Sequence, residues 1–160
     1  MESLENLVFL DFSFWVRIVA TIICGSVIGW ERIHSHKPVG VRTSTLICMG
    51  AAVFVMSQEL ILKQAAVQID YTRIVAQIVT GVGFLGAGAI IHQGVSVKGL
   101  TSAATIWALA AIGVVIGIGY PLTGLVLTFC VWFVLEPWRW FERWVGNIEK
   151  PDDNSGPVDH

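Results

Sequence analysis

Charge is scarce in this chain. Of its 160 residues, 14% are Asp, Glu, Lys or Arg while 54% are hydrophobic, a balance too apolar for a soluble domain of this size. No acidic residue occurs between Asp70 and Glu136. Cysteine is sparse too, and Cys24, Cys48 and Cys130 lie inside apolar stretches without CxxC spacing or a neighbouring histidine cluster. They read as packing residues rather than as a disulfide framework or a metal centre. The acids in or beside the apolar stretches are too few and too far apart for a paired-carboxylate site, and no Ser/His/Asp or Cys/His arrangement is present. The chain is therefore expected not to be an enzyme, and neither a cofactor, a metal ion nor a nucleic-acid partner is expected. Before Arg17 there are Glu2, Glu5 and Asp11 but no Lys or Arg, and no small-residue cleavage site follows the first apolar run. A cleavable signal peptide is accordingly not expected.

What is present is a series of apolar runs of helical length with the charges gathered in the gaps between them. Each run matches the roughly 20 residues needed to cross about 30 Å of hydrocarbon as a helix. The pattern predicts an all-α polytopic membrane protein with five spans, at about 12–30, 43–62, 73–92, 101–119 and 122–136. Pro38-Val39-Gly40 breaks the first gap, Asp70 is placed to cap span three, Gly94 and Gly99 loosen the third gap, and Gly119-Tyr120-Pro121 forms a tight fourth turn. That last gap is short enough to belong instead to a hairpin that does not fully cross. Counting cations gives an orientation. Arg32, Lys37, Arg42, Lys98, Arg139, Arg143 and Lys150 fall on one side, against Lys63 and Arg73 on the other. Cytoplasmic loops retain Lys and Arg, so the N-terminus is expected outside and the C-terminus inside. Trp15 and Trp30 near the ends of span one, Tyr71 and Tyr120 outside, and Trp138, Trp140 and Trp144 inside fit interfacial belts. Residues 138–148 alternate aromatic and charged groups at helical spacing, as in a short interfacial helix. The transmembrane domain is thus drawn as 1–148, and 149–160 as a disordered polar tail.

Gly81, Gly83, Gly86 and Gly88 satisfy GxGxxG, but the motif signifies dinucleotide binding only between a strand and a helix with an acid about twenty residues later. Inside an apolar run it reads better as close helix packing or a broken helix, and Gly25/Gly29 and Gly113/Gly117 repeat the small-xxx-small spacing. A glycine-rich break near mid-membrane is also how some transporters build ion sites. On span three, Arg73, Gln77, Gly81, Gly88 and His92 fall within about 100° of arc on an ideal helix. That stripe either faces the bundle, with Gln77 bonding a neighbouring helix, or lines a polar cavity.

Ionisable groups within spans are costly and each needs a partner or a purpose. Arg17 and Glu59 lie at similar outer depth and could form an ion pair; snorkelling of Arg17 to the interface is the alternative. At the inner level Glu31, Arg32, Arg42, Thr43, Lys98, Thr101 and Ser102 border three spans. They are either caps and interface anchors or a charged cluster suited to an anionic ligand, a lipid head group or a partner protein. His34 and His36 are a weak metal signal.

The residues also carry a resemblance. Gly25-x-x-Ile28-Gly29-x-Glu31-Arg32, Lys37-Pro38-x-Gly40-x-Arg42-Thr43, Asp70-x-x-Arg73-x-x-x-Gln77-x-x-x-Gly81-x-Gly83-Phe84-Leu85-Gly86-Ala87-Gly88 and Gly99-Leu100-Thr101-Ser102-Ala103-Ala104-x-x-Trp107 closely resemble the MgtC/SapB membrane family, in order, from about residue 25 to 119. The resemblance implies a five-helix bacterial inner-membrane domain. It also implies links to magnesium limitation, acid tolerance and intracellular survival, as a regulator that restrains the rotary ATP synthase rather than a magnesium pump. Many members carry a soluble ACT-like domain after the membrane region, whereas here only a short polar tail follows, so functions of that domain do not transfer. Glu31, Arg32, Arg42, Asp70 and Arg73 are the charged motif positions carried over, and Ser102 stands where Thr is common. The expected function is a non-enzymatic membrane regulator working through other membrane proteins or a homo-oligomer in the bilayer; the alternative is a transporter or channel for a cation or proton.

Overall fold

A computed structural model describes residues 12–65, 70–93 and 96–136. It contains helices α1 (Phe12–His34), α2 (Val41–Ala65), α3 (Tyr71–Gly88), α4 (Leu100–Ile118) and α5 (Pro121–Leu135), with a two-stranded hairpin, β1 (Ile91–Gln93) and β2 (Ser96–Lys98), between α3 and α4. The class is that of an all-α polytopic membrane protein. Among the described residues, α1, the Val41–Glu59 part of α2, and α4 are long and apolar enough to cross a membrane; α5 is a shorter apolar helix. The interfacial helix and polar tail expected after residue 137, with Trp138, Trp140, Trp144, Arg139, Arg143 and Lys150, lie outside the described residues.

The ends of the elements follow local chemistry. Asp70 caps α3, its carboxylate accepting from the Thr72 amide at 3.0 Å. Gly119 ends α4 at φ +119° and Pro121 opens α5. The left-handed residue closes one helix, and the fixed φ of proline is already helical for the next. Span three ends at Gly88 rather than His92. His92 instead stands in β1, paired with Val97 across an antiparallel register that runs from Ile91 opposite Lys98 to Gln93 opposite Ser96. The apolar residues Ile90 and Ile91 extended the helical reading past the true end. The turn back into α4 needs Gly99, which has φ +92° and where a Cβ would stand 2.0 Å from the Ala89 carbonyl oxygen.

α4 is the central helix. It packs against each of the other four, and 56% of its apolar window is buried, against 33% for α1 and for α2. Two apolar clusters surround it. Cys24, Ile28, Cys48, Leu109, Ile112 and Ile116 join α1, α2 and α4, while Ala51, Val55, Ile78, Val82, Ile106 and Ala110 join α2, α3 and α4. Glycines permit the closest approaches. A Cβ on Gly25 or Gly29 would lie 2.5 Å from the Cα of Thr45 or Val41, and one on Gly113 or Gly117 would lie 2.1 or 2.8 Å from the carbonyl oxygen of Cys48 or Ala52. In lipid, where apolar side chains gain little by leaving their surroundings, such backbone proximity supplies much of the association energy. α3 leans mainly on α4, so α2 and α3 separate along much of their length.

Candidate functional site

The chain places its buried charges at two opposite levels. At the level of the α4–α5 turn, Arg17 on α1 donates through Nη1 to Glu59 Oε2 on α2 at 2.8 Å and to the Gly117 carbonyl on α4 at 3.0 Å. The two side chains are 16% and 18% exposed, so Arg17 turns inward to its partner rather than snorkelling. Gly119 leaves room for the guanidinium; a Cβ there would lie 3.3 Å from Arg17 Nη2. A pair removed from water recovers in Coulomb energy roughly what it loses in desolvation. Its effect is therefore chiefly geometric, fixing α1 and α2 against the end of α4.

At the opposite level, Glu31 and Arg32 close α1 and are each 2% exposed. Arg32 forks onto its sequence neighbour, Nε to Oε2 and Nη2 to Oε1, the latter at 2.8 Å, and the Ser35 hydroxyl also donates to Glu31 Oε1. Arg32 Nη1 is buried without a hydrogen-bond partner among the described residues. The turn that follows is strained. His36 and the β-branched Val39 have φ of +51° and +72°, a region that L side chains rarely adopt and that costs on the order of 1–3 kcal/mol. It is held by Lys37 N donating to Arg32 O at 3.0 Å and the buried Ser44 hydroxyl donating to Val39 O at 3.2 Å.

The expected inner cluster is only partly assembled. Arg42, Thr43, Lys98 and Thr101 are exposed at this face, and their side chains make no hydrogen bond or ion pair among the described residues. The structure joins Glu31 to Arg32 and leaves the others as separate surface groups, because adjacent residues at a helix end reach one another more easily than residues on different helices. Ser102 is buried, 1% exposed.

The outer pair resolves differently as well. Asp70 and Arg73 form no ion pair; the Thr72 hydroxyl and amide both donate to Asp70 Oδ1, and Arg73 is exposed. The Thr72 hydroxyl first, and its amide next, hold the fully exposed Asp70 carboxyl below its ordinary value, with Arg73 the smallest contributor. Gln58 Nε2 donates to the Asp70 carbonyl at 2.8 Å, tying α2 to the start of α3.

The polar stripe loses its last member, since His92 is not on the helix. Gln77 is exposed and, with Gly81, lines a groove between α2 and α3. α3 runs unbroken through its glycines, so there is no mid-membrane break. A Cβ added at Gly86 would lie 3.7 Å from the Ala103 carbonyl oxygen, an ordinary contact. At Gly81, Gly83 and Gly88 nothing among the described residues lies within 4 Å of where a methyl would stand, so close packing does not hold for them there. Sequence reasoning missed the groove, the hairpin and the strained turn; Ser35, four residues after Glu31, was the one available sign of the buried network, by its i,i+4 spacing. Among the described residues no group of three or more His, Cys, Asp or Glu could hold a metal ion.

A model of the MgtC family matches residues 18–144. The chain belongs to the MgtC family. Among curated relatives, Protein MgtC of Salmonella typhimurium is 39% identical over 122 residues, 76% of this chain and 51% of that protein. Protein MgtC of Brucella abortus is 44% identical over 102 residues, 64% of this chain and 41% of that protein. The chain thus spans about half the length of the curated relatives it matches. No solved structure matches. The MgtC match covers all five helices except the first residues of α1, and with them every candidate residue from Arg32 and Glu31 to Thr101.

Proposed function

We propose that the chain is a non-enzymatic regulator of the bacterial inner membrane, crossing it five times with the N-terminus outside and the C-terminus in the cytoplasm. It acts through contacts with other membrane proteins in magnesium homeostasis and stress adaptation, the rotary ATP synthase being the candidate partner by family resemblance. The observation that carries this reading is membership of the MgtC family, whose match spans residues 18–144. The geometry supports it: between the Arg17–Glu59 and Glu31–Arg32 pairs the helix interfaces are filled by Cys24, Ile28, Leu109 and Ile112. Small surface on α3 outside the α2–α3 groove, including Gly83 and Gly88, is left for a neighbour.

The test is ATP-driven proton pumping in inverted inner-membrane vesicles with and without the full chain. Regulation of the rotary ATP synthase predicts a lower pumping rate when the chain is present; an unchanged rate at verified expression would refute that partner. A cation or proton pathway is the second reading. It is favoured by the buried Glu31–Arg32 pair, one of whose guanidinium nitrogens has no partner among the described residues, since ionisable groups in a span often mark such routes.

A further inference from the structure

α2 and α3 meet where Gln58 bonds the Asp70 carbonyl and then diverge, leaving an apolar groove of about 670 Å³. Its α2 wall runs from Thr43 to Phe54 and its α3 wall from Leu85 back to Ile74. Eleven residue steps at 1.5 Å make it about 16 Å long, close to half of a roughly 30 Å hydrocarbon core. It is thus about one leaflet deep. It begins at the membrane face that carries the α1–α2 turn.

Charge at that end is one-sided. Arg42 immediately precedes Thr43 on the α2 wall. On the α3 side, Lys98 precedes Gly99, which packs on the Ala89 carbonyl one turn beyond Leu85. Both cations are exposed and neither makes an ion pair among the described residues. The described carboxylates at this level are Glu31, which is bound by Arg32 and Ser35, and Glu136 at the end of α5.

A slot one leaflet deep, apolar along its walls and flanked by unpaired cations at its surface end, has the chemistry of a phospholipid site. We infer that the α2–α3 groove holds one acyl chain of an anionic phospholipid whose phosphate lies against Arg42, Lys98 and the Thr43 hydroxyl. Gly50 and Gly81, which line opposite walls of the groove with nothing within 4 Å of a Cβ position, keep it wide enough for a chain. The inference requires the membrane but not the regulatory role, and the orientation of the protein decides only which leaflet supplies the lipid.

The test is native mass spectrometry of the full chain released from nanodiscs of equal phosphatidylglycerol and phosphatidylethanolamine. The wild type should retain phosphatidylglycerol preferentially. The double variant Arg42→Gln/Lys98→Gln should lower that preference about thirtyfold, from the loss of two surface cations, while still retaining lipid. Gly81→Leu, whose Cβ would meet nothing within 4 Å and whose side chain would occupy the groove, should lower retention of both lipids; Gly50→Leu serves the same purpose from the other wall should the first variant fail to fold. The inference is overturned if the wild type shows no headgroup preference, or if neither groove-filling variant reduces retention. It is equally overturned if Gly81→Cys cross-links efficiently to a second copy or another protein's helix in native membranes, which would make the occupant a protein.

Discussion

Gly113 and Gly81 sit in neighbouring helices of similar composition, yet the same substitution should act on them with opposite sign. A methyl added at Gly113 would fall 2.1 Å from the Cys48 carbonyl oxygen and 3.0 Å from the Ala51 Cβ. Ordinary contact begins near 3.4 Å, so the α2 and α4 backbones must part by about 1.3 Å, and neither is a side chain that can swing aside. Gly117 one turn on is locked to Ala52 in the same way, so the displacement extends along the interface. Overpacking of this kind costs up to about 3 kcal/mol, and a gap of 0.5–1 Å elsewhere in the seam forfeits a quarter to a half of the dispersion there. At Gly81 the methyl meets nothing. Both variants gain the same helix preference of alanine over glycine, about 1 kcal/mol, and that shared gain cancels in the comparison. Gly113→Ala should therefore be less stable than Gly81→Ala by about 3 kcal/mol, more than a hundredfold in the unfolding equilibrium. Reversible SDS unfolding in mixed micelles, followed by tryptophan fluorescence, measures the difference. Equal stability of the two variants, or a more stable Gly113→Ala, would refute the packing of α2 on α4.

Three further outcomes are expected. Arg17→Gln and Glu59→Gln should each lower thermal stability in nanodiscs, and the double variant should lose clearly less than the sum, with a coupling of about 1–3 kcal/mol for two groups in one network; strict additivity would contradict the ion pair. Gly99→Ala combines a left-handed φ with a backbone collision, and should destabilise by more than about 2 kcal/mol, visible as a drop in the midpoint of the same SDS titration; a midpoint within error of wild type would refute the described turn. For Asp70, whose carboxyl is held below its unfolded value by Thr72, the cap's electrostatic contribution is full above the unfolded value near pH 4 and is lost as pH falls through the lower folded value. Protection factors for hydrogen exchange at the first turn of α3, with the intrinsic pH dependence of exchange divided out, should accordingly fall on acidification in the wild type, and Asp70→Asn should remove that acid dependence; an unaltered profile would contradict the assignment.

How much could be read beforehand depends on how local the determining physics is. Five helices followed from runs of apolar residues, and the Asp70 cap and the Gly119-Tyr120-Pro121 turn from residue types with a single strong preference. The Arg17–Glu59 contact was legible only as one of two outcomes: equal depth allowed the pair, but snorkelling of Arg17 to the interface was the stronger expectation, and the structure overturns it. The hairpin after α3 was not legible: its strands are three residues long, too short for a period to register, and Ile90-Ile91 continues the apolar run. Nor does sequence say whether a small residue has a neighbour. Gly113 and Gly81 read alike, yet one is pressed on a carbonyl and the other faces a groove. The inner charges illustrate the same limit, since seven polar positions at one level gave no sign that Glu31 and Arg32 would bury each other and leave Arg42 and Lys98 outside.

Regulation by contact and transport of an ion make opposite demands on one measurement. The purified full chain, reconstituted in liposomes with interior dyes for protons and magnesium, is exposed to a gradient of each, with Asp70→Asn and Glu31→Gln as controls. The account predicts fluxes no greater than those of protein-free liposomes for wild type and variants alike. Robust flux through the wild type, abolished by either substitution, would contradict it.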